Sequence, residues 1–114
     1  MALSELEKKR VERLFSAYCD SKMPHHVSDR FRVTFELKGE EVKLLESRPD
    51  WRDNSRWKLH KIARFKKESG TNLWRLYYCD SKGRWRPFEP FPAEMDIEKL
   101  LDEVEKDSSG SFWG

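Results

Sequence analysis

Apolar and polar side chains alternate without a break from residue 30 to 38. Phe31, Val33, Phe35 and Leu37 stand against Arg30, Arg32, Thr34, Glu36 and Lys38. A period of two marks a half-buried strand. Gly39-Glu40 supplies a two-residue loop with glycine first, as a type II′ turn prefers, and Val42 and Leu44 resume the apolar side. If Lys38 pairs with Glu41, Leu37 meets Val42 and Phe35 meets Leu44, so the register is self-consistent. The same register sets Glu46 on the apolar face opposite Val33. Ahead of this hairpin the period changes. Leu6, Val11, Leu14, Phe15 and Tyr18 lie roughly along one helical face, Ser4 and Glu7 have capping-box spacing, and the helix should stop before Pro24.

Beyond the hairpin, Pro49 should end the second strand or sit at an edge, and residues 49–55 read as a loop. A third strand is expected from about Trp57 to Lys66. Its sidedness stays open, because either Trp57, Leu59, Ala63 and Phe65 or Ile62 with its neighbours could point inward. A fourth strand, Asn72 to Asp80, sets Trp74, Leu76 and Tyr78 on one side and Leu73, Arg75 and Tyr77 on the other. Ser81-Lys82-Gly83 turns the chain into a short fifth strand, Arg84 to Phe88, and pairing Cys79 with Arg84 would put Trp85 opposite Tyr78. Pro87, Pro90 and Pro92 make an extended exit. Asp96 caps a second helix with an apolar stripe of Ile97, Leu100, Leu101 and Val104. The order predicts an α+β fold: an antiparallel sheet of about five strands with the N- and C-terminal helices packed on one face. Residues 1–114 form one domain, with the N-terminal helix at 1–22, the meander at 30–88, the C-terminal helix at 96–107 and an aromatic tail at 108–114.

Charge changes this picture more than composition does. Charged residues make up 39% of the chain, which would suggest disorder without the seven Phe, five Trp and three Tyr that supply apolar area to bury. The formal charge of +2 hides an asymmetry. Residues 48–86 hold twelve basic and four acidic side chains, a balance of +8, and the remainder holds eleven basic and seventeen acidic, a balance of −6. Such a separation favours anionic partners. If both helices cover the apolar face, the other face exposes Arg30, Arg32, Lys43, Arg75, Tyr77, Arg84 and Arg86, with Arg64 and His60 as further candidates. Guanidinium groups bind phosphates and a planar ring stacks on an unpaired base. The ligand-binding set is therefore Arg30, Arg32, Arg64, Arg75, Tyr77, Arg84 and Arg86.

Other chemistry finds little support. There is no GxSxG elbow, P-loop or Gly-rich dinucleotide turn, so no catalytic residue is assigned and no cofactor is expected. A pocket of Glu46, Arg48, Trp51 and Glu89 would bring two carboxylates beside an aromatic, the minimum for acid/base work; a structural ion pair of Glu46 with Arg48 or Arg64 is the plainer reading. His25-His26 with Cys19 and Asp20 fits no zinc spacing, and no metal site is assigned. Cys19 and Cys79 read as reduced thiols. No apolar run nears the ~20 residues of a membrane span, and the start lacks the pattern of a secretory signal, so a cytoplasmic setting is expected.

Glu46, Arg48-Pro49, Trp51, Ile62-Ala63-Arg64, Trp74, Tyr77-Tyr78, Trp85, Glu89-Pro90, Pro92 and the terminal Phe112-Trp113-Gly114 together resemble a family of short bacterial proteins known only as a domain of unknown function. The resemblance implies one domain and a bacterial, intracellular setting, and it carries no mechanism. The expectation is a small non-catalytic module that binds nucleic acid or an acidic protein through a basic sheet face, with no membrane partner. The alternative is a protein-interaction or homodimer module that uses a sheet edge and the Phe-Trp-Gly tail, either as a protruding anchor or docked on its own domain.

Overall fold

A computed structural model describes residues 3–22, 32–50, 52–68, 70–90 and 93–113. Pro24, His25, His26, Arg30, Phe31, Trp51, Pro92 and Gly114 lie outside the described residues. Helix α1 spans Glu5–Lys22. Ser4 Oγ accepts the Glu7 N–H at 3.2 Å, as the capping spacing predicts. Val11, Phe15 and Cys19 are its buried face, and the Phe15 ring meets Phe35 at 5.7 Å and Phe65 edge-on at 5.1 Å. Leu6 is 82% exposed and does not join this face. Five residues before Val11 it points about 140° away around the helix, and Leu3 packs against the core instead.

Strand β1 (Arg32–Lys38) pairs antiparallel with β2 (Glu41–Asp50) in the expected register: Lys38 opposite Glu41, Leu37 opposite Val42, Phe35 opposite Leu44. Gly39 takes φ 61 and Glu40 does not turn positive, which fits a II′ turn and excludes I′. The expected loop over 49–55 is mostly strand. Pro49 pairs with Trp57 and Asp50 with Asp53.

Strand β3 (Asp53–Lys67) contains the feature that settles the open sidedness. The register shifts between Leu44, which faces Ala63, and Leu45, which faces Lys61. Ile62 is the extra residue of a β-bulge. Both Ile62 and Ala63 are buried in the core, with Phe65. A single inserted residue inverts the alternation beyond it. Trp57 and Leu59 therefore leave the core side and stand on the opposite face, 38% and 60% exposed.

Strand β4 (Trp74–Cys79) pairs with β3, and β5 (Trp85–Pro87) pairs with β4, giving a five-stranded meander in chain order. Trp74 and Leu76 are buried and Tyr78 packs against the core, as the alternation predicts. The β4–β5 register differs from expectation by one residue: Cys79 faces Trp85 and Tyr78 faces Arg86. Asp80 is the cause. Its N–H bonds the Arg84 carbonyl at 2.8 Å, and its carboxylate accepts the N–H groups of Lys82 and Arg84, each at 2.9 Å. Gly83, at φ 80, completes a three-residue loop. Asp80 thus closes the ladder, and every residue of β5 faces the side opposite to the one expected.

That carboxylate is held at a pKa of about 2, first by the Arg84 N–H and then by the Arg86 guanidinium. Depressed below the ordinary aspartate value of about 3.9, it contributes stability above that pH and loses it as pH falls toward 2. Asp80→Asn should therefore melt below wild type at neutral pH, and the gap should close near pH 2. A gap of constant size across that range would refute the assignment.

The chain returns along β4 through the Trp74–Glu94 bridge and enters α2 (Ile97–Lys106), whose cap Asp96 accepts from the Glu98 N–H at 3.0 Å. Ile97, Leu100, Leu101 and Val104 are its buried stripe. Both helices pack on one side of the sheet over a single core, and Lys67 on that side reaches Glu7 of α1 at 2.7 Å. Among the described residues no helix is long and apolar enough to cross a membrane.

Candidate nucleic-acid interface

Alternation along each strand assigns the face away from the helices. On it lie Arg32 and Lys38 of β1, Lys43 of β2, Trp57, Leu59, Lys61, Arg64 and Lys66 of β3, Arg75 and Tyr77 of β4, and Trp85 of β5. Three cations sit over three rings there. The Arg32 guanidinium lies 4.5 Å from the Trp57 centroid, Arg64 5.2 Å from Tyr77, and Lys61 5.8 Å from Trp85. Each contact joins a cation to the negative face of a ring. Leu45 also faces this side, and it is buried outside the main core.

Of the expected ligand-binding set, Arg32, Arg64, Arg75 and Tyr77 share this face. Arg84 and Arg86 do not. The one-residue change in register puts Arg86 opposite Tyr78 on the helix-bearing side. Both guanidiniums turn to Asp80, Arg84 at 3.5 Å and Arg86 at 3.0 Å. His60 is also on the helix side, opposite Glu46, and Arg30 lies outside the described residues. The arginines that share the face are not all available. Arg64 holds Glu41 through Nε at 3.0 Å and through a terminal nitrogen at 2.6 Å, and Arg75 pairs with Glu68. Burial works to raise the Glu41 pKa, but Arg64 and then Lys43 outweigh it, so the carboxyl is held below its usual value.

Sequence reasoning left the side of Trp57, Leu59 and Lys61 open and set Trp85 with Tyr78 on the covered face. The first three depend on the bulge and the last on the Asp80 turn. The exposed Trp-x-Leu-x-Lys alternation was visible, but without the bulge its direction was not.

On the other side of the sheet, Glu46 is buried at 6% exposure and paired with Arg48 at 2.7 Å, one of the two partners expected for it. Glu46, Arg48, His60, Ile62, Phe112 and Trp113 line one small pocket, whereas Glu89 lines a different groove with Arg86, Phe88 and Ser109. The carboxylates of Glu46 and Glu89 therefore do not converge, and Trp51 lies outside the described residues. The tail is docked. Phe112 is buried against Phe88 at 5.0 Å, and Trp113 lies 4.8 Å under the Lys22 ammonium. The Asp107 carboxylate accepts both of their N–H groups, at 3.0 and 2.9 Å. Phe112 thus packs into its own domain, and Trp113 is half-buried beside it. Cys19 is buried, and burial pushes its thiol up to about 11, so it stays protonated and unreactive. Among the described residues no group of three or more His, Cys, Asp or Glu is arranged to hold a metal ion.

No curated protein and no solved structure matches the chain. The family described as a domain of unknown function (DUF3024) matches residues 3–114. With nearly the whole chain matched, this protein belongs to the DUF3024 family.

Proposed function

We propose that this protein is a small, non-catalytic cytoplasmic module that binds nucleic acid through the helix-free face of its sheet. The observation that carries the reading is the set of three cation–ring pairs, Arg32–Trp57, Arg64–Tyr77 and Lys61–Trp85, on one face. Cations supply the phosphate contacts and rings supply stacking, the combination that sequence-tolerant binders use. Lys38, Lys43 and Lys66 add positive charge to the same surface against Glu36 and Glu41.

The test is fluorescence anisotropy with labelled oligonucleotides, at about 50 and about 200 mM salt. Binding is expected at the lower salt and should weaken as salt rises. An absence of binding to any oligonucleotide at low salt would sink the reading.

A further inference from the structure

The geometry points to single-stranded nucleic acid as the ligand of this face, held chiefly by stacking on Trp57 and Trp85 and only secondarily by phosphate contacts. This rests on the nucleic-acid reading above and narrows it.

The first support is charge that is already spent internally. Arg64 grips Glu41 with two nitrogens, Arg75 pairs with Glu68, and Arg84 and Arg86 share Asp80 on the other side of the sheet. A guanidinium that holds a carboxylate must release it before it can bind a phosphate. Among the described residues, Arg32, Lys38, Lys61 and Lys66 are the cations of this face without an acidic partner within ion-pair distance. Counterion release scales with the number of phosphates neutralised, so the term that dominates duplex binding is small here.

The second support is shape. Five strands about 4.8 Å apart make a surface about 19 Å across, and the major groove of B-DNA is about 12 Å wide. The sheet face cannot enter it. Rings on that face can reach the flat side of a base only where the base is unpaired.

The third support is the exposure of apolar side chains on this face. The bulge at Ile62 turns Trp57 and Leu59 away from the core. Bulges of this kind recur beside functional sites, where they re-aim side chains. Arg32 lies over Trp57, and a base can continue that stack on the guanidinium plane. Leu59 and Lys61 follow Trp57 at alternate positions, and Lys61 leads to Trp85. The result is one continuous track from β3 to β5.

The experiment compares one labelled oligonucleotide, free and annealed to its complement, by anisotropy against wild type, Trp57→Ala and Lys66→Ala. The single strand should bind at least about tenfold tighter than the duplex. Trp57→Ala should lose about tenfold in affinity for the single strand, in the range measured for base–aromatic stacking, and keep the wild-type salt dependence. Lys66→Ala should lose less and flatten the salt slope by about 0.7. Trp57 is partly exposed, so an unchanged melting temperature will show that Trp57→Ala folds. Equal or tighter duplex binding would overturn the inference in favour of the narrow β2–β3 ribbon entering a groove, and would leave the nucleic-acid reading standing. A neutral Trp57→Ala would overturn it as well. If neither form binds, the broader reading falls. If light scattering then shows a dimer that Trp57→Ala dissociates, the surface belongs to a second copy of the chain.

Discussion

Phe112→Ala should lower the melting temperature by about 10–20 °C. Phenylalanine-to-alanine changes in a core cost about 3–5 kcal/mol, and in a domain of this size each kcal/mol shifts the midpoint by several degrees. Phe112 meets the conditions for the full effect. It is buried at 6% exposure, its ring packs on Phe88 at 5.0 Å, and its N–H is fixed by Asp107. Truncation after Ser111 should cost at least as much, because it also removes Trp113 from beneath Lys22. Thermal melts followed by circular dichroism measure both. An unchanged midpoint in either variant would mean that the tail does not hold the domain together.

Deleting Ile62 should be more disruptive than replacing it. Ile62→Ala leaves the bulge in place and removes buried methylenes, for about 2–5 kcal/mol. The deletion removes the same buried side chain and the bulge as well, so it forces a choice. Either residues 53–61 keep their pairing with β2 and strain the junction at Ala63, or they slip by one and turn Trp57 and Leu59 toward the helix side, displacing Lys58 and His60. Both routes exceed the alanine cost, and the second also removes Trp57 from the face that carries Arg64 and Tyr77. Melting temperatures of the two variants, with oligonucleotide affinity for whichever folds, decide the matter. A deletion variant that melts with Ile62→Ala and retains wild-type affinity would show that the bulge does not aim these side chains.

Much of the fold was legible because local rules left a single answer. Strict alternation through Phe35, joined to a glycine-first two-residue turn, admits one hairpin register, and that register is observed. The caps at Ser4 and Asp96 were equally plain. The candidate site was legible only in part. Arg32, Arg64, Arg75 and Tyr77 fell on one face as expected, whereas Arg84 and Arg86 crossed to the other because Asp80 serves the turn and not the strand. Whether an aspartate extends a ladder or folds back on the next N–H groups is decided by bonds that spacing does not report.

The chain's order of periods determined the element sequence, the antiparallel sheet and the choice of one covered face, since each follows from contacts within a few residues or across a short turn. Tertiary structure alone decided what stands on the uncovered face. An extra residue at Ile62 is compatible with either sidedness in one dimension. The side of Trp57 is set in three, where Ile62, Ala63 and Phe65 all find space in the core beneath the helices and the rest of the strand must turn over.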